Sequence, residues 1–357
     1  MKNGITKEQS KMIQGLAILM MLYHHLFSTP EIFGIEYFSL LNIGGINIEQ
    51  KMAWFFKICV GIYAFVSGYG IYRSIEKTKN ENTHSFWGLL IAEYKIIFKK
   101  IVSFFMQYWL VFVIFIVIVG FVFFKRPFEI KEFLLNFFGL SSSYNGAWWY
   151  VLQYMKMLLV FPFMDAFFTL FKTKKAIITQ VIFYGVAIVA AGYLYLFKIG
   201  IIAQLLNFFM FAFLMCFIMG YLVSRFRIYE LAHKWIPEKL LYALGIVGML
   251  LVIAARVKIV DNPASAGLDF VFVPVFVYGF CVLMVLLPKV SRLFAFFGGL
   301  STYMWLTHVF FYDHYTKPIV LATRTSTGMF LTLLLFSSLA ALSLNWIMGQ
   351  LRKIGKK

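Results

Sequence analysis

The sequence predicts an all-α fold, a polytopic membrane helix bundle of about ten transmembrane helices. The chain is 62% hydrophobic and only 13% charged, whereas soluble domains average roughly 25% charged residues, and its mean hydropathy is +0.82. Apolar runs of about 20 residues, the length that crosses a bilayer core, recur along the chain. Most of its 33 Lys and Arg lie in alternate connecting segments. Together these features indicate many membrane spans joined by short loops.

Ten segments satisfy the length criterion: 12–28, 52–72, 101–124, 147–171, 176–197, 200–223, 239–259, 267–288, 293–314 and 327–350. With the N-terminus in the cytoplasm, the inner segments collect most of the basic residues, as the positive-inside rule requires. We therefore predict a multi-pass protein of the cell (plasma) membrane with both termini cytoplasmic and a single domain over 1–357. The net charge of +18 then reflects topology and attraction to anionic membrane lipids, and no nucleic acid is needed to explain it.

The three cysteines, Cys59, Cys216 and Cys281, each fall within an apolar segment and lack a CxxC neighbour. This spacing is typical of small buried side chains rather than of a disulfide framework or a metal site. The sequence also lacks a Cys/His cluster with metal-ligand spacing, so we predict no metal cofactor.

The first span carries two adjacent histidines, His24 and His25. At 100° per residue, His25 shares a stripe with Lys11 and Gln14, and it lies about 21 Å along the helix axis from Lys11. An ionisable group at that depth is costly and usually faces the bundle interior or a water-filled cavity. The two imidazoles point about 100° apart, so we expect only one to face any given cavity. A structural histidine that bonds to a neighbouring helix is the alternative.

The ninth span, "LSTYMWLTHVFFYDHY", brings another histidine, His308, to the same predicted depth as His25. Neutral imidazole acts as a general base or nucleophile near pH 7 because its pKa lies close by. Tyr303 on the same helix is a further candidate. The alternative is that these polar groups only form hydrogen bonds between helices.

Small, basic and aromatic residues near the span ends offer further candidates. Small residues close the second span, basic residues flank the second and third, and aromatic residues open the fourth; they are Ser67, Gly68, Arg73, Lys99, Lys100, Trp148, Trp149 and Tyr150. Their simpler interpretations are close helix packing, orientation signals and an interfacial aromatic belt. The functional interpretation of the basic residues is a phosphate site for a nucleotide-bearing donor. That of the aromatic residues is a set of flat faces that contact a sugar.

Taken together, the segments "KMIQGLAILMMLYHHLF", "FVSGYGIYR", "KKIVSFFMQYW", "AWWYVLQYMKMLLVFP" and "LSTYMWLTH" resemble the acyltransferase-3 family of integral membrane O-acyltransferases. The resemblance runs from end to end and implies about ten spans with cytoplasmic ends. It implies transfer of an acyl group, usually acetyl, from cytoplasmic acyl-CoA to a carbohydrate at or across the membrane. Acetyl-CoA is then the expected donor, and a carbohydrate hydroxyl the expected acceptor.

By position, the resemblance makes His25 the essential acyl-handling histidine and matches Lys99 and Lys100 to a pair of arginines that open the third span. It also matches Ser67 and Gly68, as donor-site residues, to a small-residue motif that closes the second span, and Tyr303, as a substrate residue, with His308 to a motif of the late helix. Gln14 replaces the family's usual arginine, so the resemblance loses a charged contact to CoA there unless Lys11 substitutes. In the implied arrangement the CoA phosphates lie near Lys11, Arg73, Lys99 and Lys100. The pantetheine arm then reaches up the bundle to His25, which acts as base or as covalent acyl carrier.

Two other classes of protein fit the helices. A transporter or flippase of glycans or lipids commonly has internal repeats, broken helices and acids at the midplane. Here one acid, Asp165, is predicted inside a span, and no repeat is visible. A non-catalytic scaffold would leave the matched depths of His25 and His308 unexplained. Dependence on acyl-CoA distinguishes the enzyme from the transporter.

Overall fold

The computed structural model describes residues 4–43, 46–76, 85–170, 208–260 and 263–354, and these residues are overwhelmingly helical, which confirms the all-α prediction. The predicted span 176–197 and the first part of 200–223 lie outside them. The described α-helices, numbered in chain order, are α1 Lys7–Phe27, α2 Ile48–Phe56, α3 Cys59–Glu76, α4 Phe86–Val111, α5 Ile130–Phe137, α6 Trp149–Leu170, α7 Phe208–Arg225, α8 Ile228–Trp235, α9 Glu238–Lys258, α10 Asp269–Leu286, α11 Pro288–Val309, α12 Lys317–Leu321 and α13 Ser326–Ile354.

Shorter elements join or extend these helices. The 3-10 turns are Pro30–Phe33, Gly146–Trp148 and Pro263–Leu268, and π-helical segments extend α4 over Phe112–Phe123 and α11 over Phe310–His314. A two-residue antiparallel ladder pairs β1 Asn42–Ile43 with β2 Ile46–Asn47.

Among the described residues, six stretches are long and apolar enough to cross a membrane: Ile48–Glu76, Phe86–Phe123, Glu238–Lys258, Ser265–Leu286, Pro288–His314 and Ser326–Ile354. The pair Phe211–Arg225 and Ile228–Trp235, bent by 51°, makes a seventh if it is counted as one broken span. The chain is therefore a membrane helix bundle. The count of ten spans and the cytoplasmic location of the termini stay predictions.

Local capping defines the start of α1. Thr6 and Gln9 form a capping box, in which the Thr6 hydroxyl accepts from the Gln9 backbone at 3.1 Å and the Gln9 side chain accepts from the Thr6 backbone at 3.0 Å. This arrangement satisfies two of the N–H groups that a helix start leaves without partners. The Ile5 backbone, just before the N-cap, donates to the Tyr69 hydroxyl at 2.8 Å, so the segment that leads into α1 is also bound to α3.

Two helix pairs pack backbone to backbone through glycines. A Cβ atom at Gly15 on α1 would lie 2.6 Å from the carbonyl carbon of Phe294, and one at Gly298 on α11 would lie 2.5 Å from that of Lys11. Gly68 on α3 and Gly220 on α7 have the same reciprocal relation. Small residues allow this approach, which is the usual packing of helices in membranes. The close contact of α1 with α11 sets the spacing of the two histidine-bearing helices.

Two buried aspartates in the described chain form ion pairs. Asp165 on α6 is fully buried, binds Arg225 of α7 at 2.7 Å and accepts from the Tyr221 hydroxyl at 2.9 Å. Asp269 binds Arg256. Asp269 falls within the predicted span 267–288, so the interpretation based on Asp165 alone overlooked it. Buried charges in membranes are typically paired in this way, and these pairs tie helices together.

Candidate active site

A cavity of about 520 Å³ lies inside the bundle, between α1, α3, α4, α6, α7 and α11. Its walls combine aromatic rings with a few polar groups, and the lining residues include Gln14, Met21, His24, His25, Lys57, Tyr63, Ser67, Phe104, Trp149, Tyr150, Gln153, Tyr154, Phe213, Ser301, Thr302 and Trp305. A mostly apolar pocket with a small number of converging polar groups is the usual form of a small-molecule site.

Both histidines of α1 line this cavity, so the expectation that only one would face it is wrong. The two side chains leave α1 in different directions, but the cavity is wide enough to contact both. Helix α2 lies beside His24, and α11 lies beside His25. The Nδ1 of His24 lies 2.7 Å from the Ala53 carbonyl oxygen at the end of α2. Because a carbonyl only accepts, Nδ1 carries the proton. The Nε2 of neutral His24 is then the ring nitrogen that can accept a hydrogen bond.

His308 lies directly behind His25, as their matched depths predict. The two ring centroids are 4.9 Å apart, and His308 is fully buried. Its Nδ1 donates to the backbone carbonyls of Trp305 at 2.8 Å and Met304 at 3.2 Å, which leaves the lone pair of neutral His308 on Nε2. His308 does not belong to the cavity lining. It contacts His25 from the protein side.

The π-helical segment that follows α11 brings one more group to His25. Tyr312 lies there, and its hydroxyl is 3.4 Å from the Nδ1 of His25. Its ring also stacks on His308, with centroids 5.9 Å apart. Local π-helical geometry is frequent at functional sites because it redirects side chains. Here it completes a cluster of two imidazoles and one phenol.

Four other sequence candidates line the same cavity: Gln14, Ser67, Trp149 and Tyr150. The backbone carbonyl of Gln14 also accepts a hydrogen bond from the Tyr63 hydroxyl at 3.2 Å, which holds the Tyr63 side chain at the cavity wall. The structure thus brings together candidates from the first, second and fourth predicted spans.

The remaining candidates lie away from the cavity wall. Lys11 and Lys99 are exposed, and Lys100 is partly buried on α4. Arg73 binds Glu230 at 2.8 Å and Glu76 at 3.2 Å. None of these four basic residues lines the cavity, so a role in binding CoA phosphates stays a prediction.

Trp148, Gly68 and Tyr303 are buried between helices in this structure. Trp148 is fully buried and donates from Nε1 to the Leu306 carbonyl at 3.0 Å, which anchors the start of α6 to α11. Gly68 lies against the backbone of α7, and Tyr303 is 1% exposed. Their predicted contacts with substrate or donor stay predictions.

Several cavity residues were not among the sequence candidates, notably Lys57, Gln153, Tyr154 and Trp305. Lys57 carried a usable signal, since an ionisable residue inside a predicted span marks a functional site by default. The aromatic residues gave none, because the chain is 20% aromatic and rings are common throughout such a bundle.

The donor set of the described residues does not resemble a metal centre: no group of three or more His, Cys, Asp or Glu side chains within the described ranges is placed to hold an ion. The three cysteines are buried free thiols, as predicted from their apolar surroundings.

Comparison with known protein families identifies the class of protein. A family model described as an acyltransferase domain (Acyl_transf_3) matches residues 10–349, which is nearly the whole chain. The protein therefore belongs to the acyltransferase-3 family and is a membrane acyltransferase. No curated protein and no solved structure gives a significant match.

Proposed function

We propose that the protein moves an acyl group, most simply acetyl, from cytoplasmic acyl-CoA to a hydroxyl of a cell-envelope or extracellular carbohydrate. The observation that carries this proposal is the placement of His25. Its ring lines an interior cavity on one side and contacts His308 and Tyr312 on the other.

The cluster suits proton transfer to and from a hydroxyl. In the direct route, His25 takes the proton of the acceptor hydroxyl while that oxygen attacks the thioester carbonyl carbon. The carbon–sulfur bond then breaks, and CoA thiolate leaves and is protonated. In the covalent route, an imidazole nitrogen attacks the thioester carbonyl carbon, the carbon–sulfur bond breaks, and CoA thiolate leaves and is protonated. The acceptor oxygen then attacks the acyl-imidazole, the carbon–nitrogen bond breaks, and the released imidazole takes the hydroxyl proton. His308 and Tyr312 hold the ring orientation in both routes.

The cavity walls supply the other requirements of the proposed reaction. Trp149 and Tyr150 offer flat rings against which a sugar can stack, since aromatic faces present large apolar surfaces. Gln14, Ser67 and Gln153 offer hydrogen-bonding groups for donor or acceptor. The CoA phosphates are proposed to bind Lys11, Arg73, Lys99 and Lys100 as the thioester enters the cavity.

The ion pairs remove the two buried aspartates as evidence for a transporter. Asp165 is neutralised by Arg225 and Asp269 by Arg256, so neither buried aspartate is a bare acid available to couple ion movement. Acyltransferase function also accounts for the clustering of His25, His308 and Tyr312, which transport leaves unexplained.

The test is transfer of label in proteoliposomes that contain the purified protein, radiolabelled acetyl-CoA and extracted envelope glycans. We expect alkali-labile ester label on the glycan, and His25→Gln should lower its rate of formation by about 100-fold or more, the usual scale of general acid–base catalysis. His233→Gln is the matched control because His233 lies on α8 and contacts Tyr278. Transfer that survives His25→Gln, or glycan movement without acyl-CoA, would contradict the proposal.

A further inference from the structure

The short helix α2 ends in the membrane-spanning part of the bundle, and its last carbonyl groups bind side chains from other helices. The final four carbonyls of a helix lack intrahelical partners, and within a membrane such groups need partners from the protein. The Ala53 carbonyl accepts from His24 at 2.7 Å. The carbonyls of Phe55 and Trp54 already accept from the backbone N–H groups of Ile58 and Lys57 at 3.1 and 3.2 Å, and they also accept from Nη1 of Arg256 at 3.0 and 3.4 Å.

Arg256 is itself held in a fixed orientation. Its Nε and Nη2 donate to the two carboxylate oxygens of Asp269 at 2.7 and 3.1 Å. Both side chains are only 1% exposed. A bidentate guanidinium–carboxylate pair is planar and directional, so α9 and α10 together fix where Nη1 meets α2.

These contacts form one continuous chain from the ion pair to the cavity. Asp269 orients Arg256, Arg256 holds the C-terminal carbonyls of α2, and α2 presents the Ala53 carbonyl to Nδ1 of His24. That last bond decides which nitrogen of His24 carries the proton. It therefore leaves Nε2 as the nitrogen that can meet a substrate, while His24 lines the cavity beside His25.

We propose that Arg256 and Asp269 are positioning residues for the acyl transfer, acting through the end of α2 to fix the orientation and tautomer of His24. The inference rests on the proposed function for its kinetic consequence, but its structural consequence is independent of turnover. Fixing a ring by a hydrogen bond to its remote nitrogen is how proteins commonly set which imidazole nitrogen faces a reaction.

Single substitutions leave one charge buried without its partner, which strongly destabilises a protein and endangers folding. The informative variant is therefore the double substitution Arg256→Gln/Asp269→Asn, which removes both charges. The control is Arg225→Gln/Asp165→Asn, since that ion pair links α6 to α7 and its carboxylate is fully buried, with the Arg225 side chain 17% exposed. Both doubles are compared with wild type for melting temperature, kcat and KM.

We expect both doubles to melt at lower temperature, but only Arg256→Gln/Asp269→Asn to lower kcat, by about 10- to 100-fold, because small displacements of reacting groups cost rates of that order. Nitrogen NMR of histidine-labelled protein should show the Nδ1–H tautomer of His24 in wild type and in the control, and a mixture in the Arg256→Gln/Asp269→Asn variant. His24→Asn keeps a donor for Ala53 and loses Nε2, so it should keep stability and lose activity.

An unchanged His24 tautomer in the Arg256→Gln/Asp269→Asn variant would overturn the inference, as would equal loss of kcat in the two doubles or full activity of His24→Asn. Absence of acetyl-CoA turnover in wild type would refute the proposed function, whereas the NMR comparison would still decide the positioning role.

Discussion

Gly298→Ala is the perturbation whose consequence can be worked most directly from the structure. The added Cβ would lie 2.5 Å from the carbonyl carbon of Lys11 on the facing helix, and closer still to its oxygen, whereas ordinary van der Waals contact begins at 3.4 Å. The obstacle is backbone, so side-chain rotation cannot relieve it. The helices α1 and α11 must therefore separate by about 1 Å, and overpacking of this kind typically costs about 1–3 kcal/mol.

The displacement should reach the site, because α1 carries His25 and α11 carries His308, whose ring centroids are 4.9 Å apart. Loss of alignment by about 1 Å can lower a reaction rate about 100-fold. We expect Gly298→Ala to lower both the melting temperature and the rate of CoA release from acetyl-CoA.

The neighbouring residue is the control. A Cβ at Gly299 would have no atom within 4 Å, and alanine is the better helix former. Gly299→Ala should therefore keep the activity and match or exceed the stability of wild type. If Gly298→Ala and Gly299→Ala behave alike in both assays, the inferred close packing of α1 on α11 is wrong.

Three further predictions follow from the same geometry. Gly68→Ala should destabilise the protein because its Cβ would lie 2.9 Å from the Phe217 carbonyl carbon, whereas Gly70→Ala, with no atom within 4 Å, should not; equal melting temperatures would contradict this. His308→Gln should lower kcat about 10- to 100-fold with KM for acetyl-CoA unchanged, since His308 contacts His25 rather than the cavity; a change confined to KM would argue for direct donor contact. Tyr312→Phe should lower kcat by about tenfold or less, because one 3.4 Å contact to His25 is lost. The measurement is the initial rate at saturating acetyl-CoA. A decrease as large as that of His25→Gln would contradict this and make Tyr312 a catalytic group.

The sequence was informative where polarity conflicts with the membrane. His25 and His308 were predicted to lie at one depth, and they do, because helical rise converts residue number directly into height. Composition likewise predicted the helical membrane fold. His24 and His25 also lower the hydropathy of the first span. The helix α1 is absent from the six stretches selected by length and apolarity.

The sequence did not predict which residues of different helices contact one another or line the cavity. Nothing in the spacing of Gly68 distinguishes a glycine that approaches a helix from one that approaches a ligand. Trp148 and Trp149 are adjacent, yet one is a buried anchor and the other lines the cavity. The link from Asp269 through Arg256 to α2 depends on contacts across about 200 residues of chain, which local periodicity cannot predict.

The most direct test of the central claim is the release of CoA from acetyl-CoA by purified protein in detergent, with extracted envelope glycans as acceptor, measured for wild type, His25→Gln and the His233→Gln control. We predict that wild type and His233→Gln release CoA at similar rates, and that His25→Gln is slower by about 100-fold or more at unchanged melting temperature. Equal release by His25→Gln and wild type would show that the cavity histidine does not take part in acyl transfer.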